Sequence, residues 1–403
     1  MKNTSTILPA LALGLLSPLA LAGTESTPAA TNSGDWCSTF KDIGKIYSDK
    51  TNPYIQSFSL EGRLQNQFYY IDGTDQTGTD FNAKENEFRR ARLGAKVGFL
   101  QYFTAKAVVD LVDDQRPSGG DLGWGYENFD TATLTFDMQK AFSIGALDTL
   151  NLTYGRHKFE MSAEALESSN NILTIERSAI ANKVYNSARP TGLSLQAGKG
   201  DWMTTAAIYS AADQDEFVNG GFNDGIAYFG AIDYTGIENY NLRWDFVYND
   251  ADVTAASELN YEWATSFNAT YENGPYGILG TVVLGDNGDQ APGRDGNFYG
   301  LTVMPWYWIV EEKLQGVFQY SFSCAEEDEG IRTNSRYVRD DKANLAALNS
   351  GRGDQLHTLY AGLNYYLCGN SAKLMGGIEY ADLNTPTGNV DALTYLFGVR
   401  VKF

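Results

Sequence analysis

Apolar and polar side chains alternate along most of this chain, most plainly from Asn86 to Phe99. Ala91, Leu93, Ala95, Val97 and Phe99 fall on one parity, and Arg90, Arg92, Gly94 and Lys96 on the other. A period of two marks a β-strand, here with one apolar and one basic face. The closing residues repeat the pattern, with Tyr395, Phe397, Val399, Val401 and Phe403 on one face and Gly398, Arg400 and Lys402 on the other. A soluble sheet would turn such charged faces to water. A transmembrane β-barrel would turn the apolar faces to lipid and the charged ones to a wet lumen.

The pattern predicts strands near 55–71, 86–99, 103–112, 126–137, 149–158, 191–199, 202–210, 225–236, 240–249, 257–272, 276–285, 297–310, 313–323, 356–368, 372–382 and 392–403. That makes an even number, as closure of a single-chain bacterial barrel requires. The gaps alternate in length: 100–102, 200–201 and 273–275 are tight, whereas 113–125, 159–190, 211–224 and 324–355 are long and polar. The expected fold is all-β, a 16-stranded antiparallel transmembrane β-barrel with short periplasmic turns, long extracellular loops and both chain ends in the periplasm. In the strand at 257–272, Leu259, Tyr261, Trp263, Phe267 and Tyr271 are read as outward, and Glu258, Asn260, Glu262, Ser266 and Asn268 as inward. The strand at 297–310 is apolar on both faces, which points to contact with another protomer, to an inserted loop, or to a misjudged register.

Composition sharpens this picture. Among 403 residues stand 41 Gly, 25 Tyr, 21 Phe and 7 Trp, an aromatic content suited to interfacial girdles. Past residue 22 no apolar run reaches the roughly 18 residues of a spanning helix, so a helical membrane protein is excluded. Lys2, the apolar run to Ala22 and the close Ala20-Leu21-Ala22 predict a signal peptide over 1–22. Residues 23–52 are then a periplasmic N-terminal segment and 53–403 the barrel. Within the former, Trp36, Phe40, Ile43 and Tyr47 recur at helical spacing, with Asp35 as the expected N-cap. Terminal Phe403 on an alternating strand is the expected signal to the outer-membrane assembly machinery. The net charge of −20 argues against a nucleic-acid partner.

With each apolar face outward, the lumenal cations are Arg63, Arg90, Arg92, Lys96, Lys106, Arg243, Lys373, Arg400 and Lys402. Rings of such side chains select anions, although they can equally pair with Glu61, Asp110, Asp245 and Glu379 on the same faces. Lys158, Arg177, Lys183 and Arg189 lie in the long gap 159–190 or at its edge and are candidates for a constriction; Arg177, beside Glu176, can instead hold the loop. Cys37 and Cys368 are both expected at the periplasmic side, whereas Cys324 begins an extracellular loop a membrane thickness away. Cys37 with Cys368 is the expected disulfide, against the alternative of free thiols. His157 and His357 are the only histidines, and neither has a Ser or Asp forced near it; no catalytic residue, metal motif or cofactor is assigned.

Two stretches resemble the phosphate-selective porin O and P family. One is Phe88-Arg89-Arg90-Ala91-Arg92-Leu93-Gly94. The other is Tyr154-Gly155-Arg156-His157-Lys158-Phe159, followed by Ser162, Glu164, Ser168-Ser169 and Ile175-Glu176-Arg177-Ser178. The resemblance implies a homotrimeric barrel in the outer-membrane lipid, a loop folded inward over 159–190, and lumenal Arg and Lys that pass small inorganic anions. Where the family commonly has proline and phenylalanine after the lysine, this chain has Phe159-Glu160-Met161, which sets an acid beside the basic cluster. The expected function is passive diffusion of small solutes with a preference for anions, phosphate or pyrophosphate first. The alternative is a weakly selective general porin; a structural or enzymatic barrel ranks below both.

Overall fold

A computed structural model describes residues 36–112, 124–186, 188–211, 222, 225–251, 259–289, 293–333 and 351–403. The expected signal peptide, the tail that follows it and Asp35 lie outside the described residues. Sixteen antiparallel strands close on themselves. They are Ile55–Thr74, Asp80–Phe99, Phe103–Val112, Trp124–Asp137, Thr149–Arg156, Thr191–Lys199, Trp202–Ser210, Ile226–Tyr234, Tyr240–Asn249, Trp263–Asn273, Tyr276–Asp286, Asn297–Val310, Leu314–Ala325, Gln355–Tyr366, Ala372–Thr385 and Gly388–Lys402. Each pairs with its neighbour in sequence, and the last pairs with the first from Asp391 opposite Thr74 to Lys402 opposite Arg63.

Burial runs opposite to that of a soluble sheet. Phe397 is 44% exposed and Tyr395 44%, while Arg400 is 0% exposed on the other face of the same strand. Such a wall suits lipid outside and a polar interior. The seam is finished by the last residue: Gly62 and Phe403 exchange two backbone hydrogen bonds of 3.1 Å. A Cβ on Gly62 would fall 2.1 Å from the Phe403 ring, so the ring needs a glycine beneath it.

Two bulges interrupt the alternation, on the strands Asp80–Phe99 and Trp124–Asp137 that flank Phe103–Val112. Gln65 pairs with Arg90 and Asn66 with Phe88, which leaves Arg89 as an extra residue. Likewise Val108 pairs with Thr131 and Val109 with Phe129, leaving Asp130 over. A bulge re-aims the side chain of its extra residue, and here both turn inward.

The N-terminal helix is shorter than its spacing suggests. It spans Trp36–Asp42; Gly44 follows, and Lys45–Ser48 forms a strand on Ser57–Ser59. Ile43 and Tyr47 therefore leave the helix because the chain turns to pair with the wall. Cys37 is bonded to Cys368, their Cα atoms 5.2 Å apart.

The connection between Arg156 and Thr191 folds into the barrel. Its two ends run antiparallel, with His157 N bonded to Pro190 O and Phe159 N to Ala188 O, each at 3.2 Å. Two short helices follow, Ala163–Leu166 and Ala179–Tyr185, capped by the hydroxyls of Ser162 and Ser178. Phe159 wedges edge-on between Tyr209 and Phe229. Ile180 occupies the space over Gly300, where a Cβ would meet it at 2.7 Å. The apolar inner face of Asn297–Val310 is thus explained by the inserted loop: Met304 and Trp306 pack against Ala163 and Leu173. The outward reading of Leu259 and Tyr261 is corrected on the same ground. Both are buried, and the Tyr261 hydroxyl donates to Val184 O at 2.6 Å, because the segment before Trp263 bends over the loop.

Candidate functional site

The cations of the lumen take two roles, and Lys402 takes both. One is to hold the loop. Arg400 donates to the carbonyls of Ser169 and Ile175. Lys373 donates to Ile172 O at 2.9 Å, and Lys402 to Asn171 Oδ1 at 3.0 Å. Arg243 reaches Glu160 O at 3.0 Å while paired with Asp233 and Asp245. Arg177, expected to line the pore, is only 4% exposed and donates to the carbonyls of Glu164 and Glu167, both at 2.7 Å. It braces the loop, because buried carbonyls need donors. Lys158 does the same through Leu166 O at 2.8 Å, with Glu160 3.9 Å away. Arg90 is 7% exposed and donates to Gln65 Oε1 at 2.8 Å.

Those in the second role face open space at the rim that carries the chain ends. A cavity of about 420 Å³ is lined by Lys45, Arg63, Arg92, Lys106 and Lys402 against two carboxylates, Glu61 and Asp130. Arg63 and Arg92 stand opposite each other on paired strands. Arg63 donates to the hydroxyls of Ser168 and Ser169 at 3.2 and 3.0 Å, and so keeps its charge uncancelled by any direct carboxylate contact among the described residues. Arg92 contacts Asp110 at 2.8 Å and Asp130 at 2.5 Å. Arg189 reaches the same Asp130 at 2.8 Å, and Lys106 pairs with Glu61 at 2.7 Å. Lys96 is exposed, with no ion pair among the described residues.

Strict parity hides two members of this network. Arg89 would point to lipid on an unbroken strand, yet it binds Glu176 at 2.8 Å through its bulge. Asp130 is the other. The visible signal is Arg89-Arg90 itself, since two adjacent charges cannot both face a lumen without a break in the period of two.

The loop groups titrate away from their usual ranges. Burial opposes the ionisation of Glu176, but Arg89 and Arg90 outweigh it and hold the carboxyl down to about 2. Burial also opposes ionisation of Tyr185, yet Arg189 and Arg177 bring its hydroxyl down to about 8. Arg189 donates to that hydroxyl at 2.5 Å, and the Arg177 guanidinium lies 5.1 Å over the ring. Burial pushes the Lys158 ammonium down to about 8 and that of Lys183, with help from Arg352, down to about 7. Raising the pH from about 7 to about 9 therefore makes the loop more negative, as Lys183 and Lys158 lose their protons and Tyr185 becomes an anion. Any preference for anions is expected to weaken across that window, and Tyr185→Phe to remove part of the change. Reversal potentials measured at both ends check this; a flat profile in the unmodified protein would contradict it.

The sequence model of the family "Phosphate-selective porin O and P" matches residues 58–273. No curated protein matches significantly. Among solved structures, the outer membrane channel DcaP of Acinetobacter baumannii aligns with a TM-score of 0.57 at 12% identity, covering 86% of this chain and 97% of its own. An anion-selective porin from Comamonas acidovorans aligns at 0.56 and 11% identity, covering 86% and 99%. OmpT of Vibrio cholerae, in a trimer form, aligns at 0.53 and 8% identity, covering 86% and 99%. At these identities the likeness is one of fold.

Proposed function

The chain belongs to the phosphate-selective porin O and P family and is an outer-membrane channel; from that premise we propose that it passes small anions by diffusion, phosphate or pyrophosphate foremost. The observation that carries this is the mouth cavity, where Arg63 and its register partner Lys402 have no ion pair among the described residues, while Lys45, Arg92 and Lys106 are paired with Asp42, with Asp110 and Asp130, and with Glu61. In a narrow passage with low-dielectric walls such unpaired cations raise the local anion concentration, and a planar guanidinium fork matches phosphate oxygens. The solved neighbour from Comamonas acidovorans, itself described as anion-selective, is consistent with this reading. Both chain ends then face the periplasm, the loop 157–190 sets the size limit, and Phe403 serves the assembly machinery.

The decisive experiment is the reversal potential of single channels under a KCl gradient, followed by addition of phosphate. Anion selectivity with phosphate reducing the chloride current supports the reading. An unselective pore indifferent to phosphate would leave a general porin.

The same reading includes a homotrimer. Ala95, Ala107 and Ala132 stand side by side across three paired strands on the outer face. Small side chains allow a second wall to approach closely, and a neighbour of this fold is known in a trimer form. A native mass of one chain in mild detergent would contradict it.

A further inference from the structure

A second cavity opens at the same rim, meeting the basic one at the turn where Asn370 lines the one and Ser371 the other, and its chemistry is opposite. It measures about 420 Å³ and is lined by Glu272, Trp306, Trp308, Glu312 and Tyr366, with the loop tip at Leu173 above. Trp306 lies flat against the wall because Gly277, its register partner, has no side chain: a Cβ there would fall 2.1 Å from the indole. Glu272 is the next partner across, opposite Gly277 on the preceding strand. Trp308 and Tyr366 lean against each other, tilted by 45° with centroids 5.0 Å apart, and the Tyr366 hydroxyl donates to Gln315 Oε1 at 2.8 Å. The aromatic walls are thus held before any ligand arrives.

The carboxylates of Glu272 and Glu312 form no ion pair or hydrogen bond among the described residues. One face of Tyr366 already receives an ammonium, that of Lys373 at 5.3 Å. Aromatic faces beside uncompensated carboxylates attract a cation that carries apolar surface, because the ring quadrupole and the carboxylate act on the same charge. We propose that this cavity binds a small organic ammonium ion, so that the periplasmic mouth has an anion pole and a separate site for amines. The assignment does not depend on the selectivity of the channel.

Benzylammonium chloride, added to the purified full-length channel in planar bilayers, tests it. A saturable fall in current is expected, stronger when the probe is added from the rim that carries the chain ends. Glu272→Gln with Glu312→Gln is expected to weaken the apparent affinity by about tenfold or more, the loss of two charge-assisted contacts. Glu272→Asp, which keeps the charge, is expected to retain the response and shows that the barrel tolerates change at this position. Glucose at equal concentration is expected to leave the current unchanged. No saturable response, a response unaltered in the double variant, or an equal response to glucose would each overturn the proposal. The KCl reversal potential of the same channels reports separately on anion preference.

Discussion

Replacing both Arg63 and Arg92 by glutamate is expected to turn the proposed anion preference of the channel into a cation preference. The two stand opposite each other on the first pair of strands and line the mouth cavity. The double substitution removes two guanidinium charges and adds two carboxylates at that cavity. In a confined passage a change of sign at the narrow mouth shifts the permeability ratio on the order of tenfold or more. Phosphate should cease to reduce the chloride current, since the guanidinium forks are gone. Reversal potential under a KCl gradient gives the answer, and heat-dependent gel mobility verifies that the barrel has closed. An unchanged potential would place the selectivity elsewhere in the lumen.

Loosening the loop should have the second largest effect. Arg400 is fully buried and donates to two loop carbonyls, Ser169 and Ile175. Arg400→Met keeps length and apolar contact but leaves both carbonyls without that donor. A buried carbonyl without a partner costs about 1–3 kcal/mol, so a loss of about 3 kcal/mol of stability is expected. Because the loss falls on the loop, single-channel traces should become noisier and conductance should rise. A quiet trace of unchanged amplitude would mean that Lys373, Lys402 and the apolar packing hold the loop without it.

The strands were legible where apolar and polar residues alternate, because lipid on one side and water on the other enforce a period of two; 297–310, apolar on both faces, was legible by length and spacing instead. Boundaries erred by up to six residues in both directions: one strand begins earlier, at Asp80, since strands continue past the membrane where the apolar parity no longer operates, and another begins later, at Trp263, because Leu259 and Tyr261 belong to the segment that covers the loop. The inward loop was legible as length and resemblance. Its contents were not. Ile180, Val184 and Met161 build an apolar cluster inside the lumen, and its partners Tyr261 and Phe298 look like an outward residue and part of a strand with two apolar faces. Arg400 read as a pore cation because parity reports which face a side chain lies on, whereas what covers that face depends on the loop; Arg177 read as one because it lies in the loop itself, where only the fold shows which carbonyls it meets. Arg89 and Asp130 were missed for a further reason: a bulge shifts parity locally, and only the paired strand shows where.

The disulfide carries a consequence in time. Cys37 and Cys368 are separated by 331 residues, and in the folded chain the seam between the last and the first strand brings them together. Cys324 precedes Cys368 in the chain, so a mistaken bond from Cys37 to Cys324 would oppose that closure. The native bond locks the closed seam. Its appearance on a non-reducing gel dates barrel closure within a cell, and a dithiol that resets it would show how often closed barrels reopen.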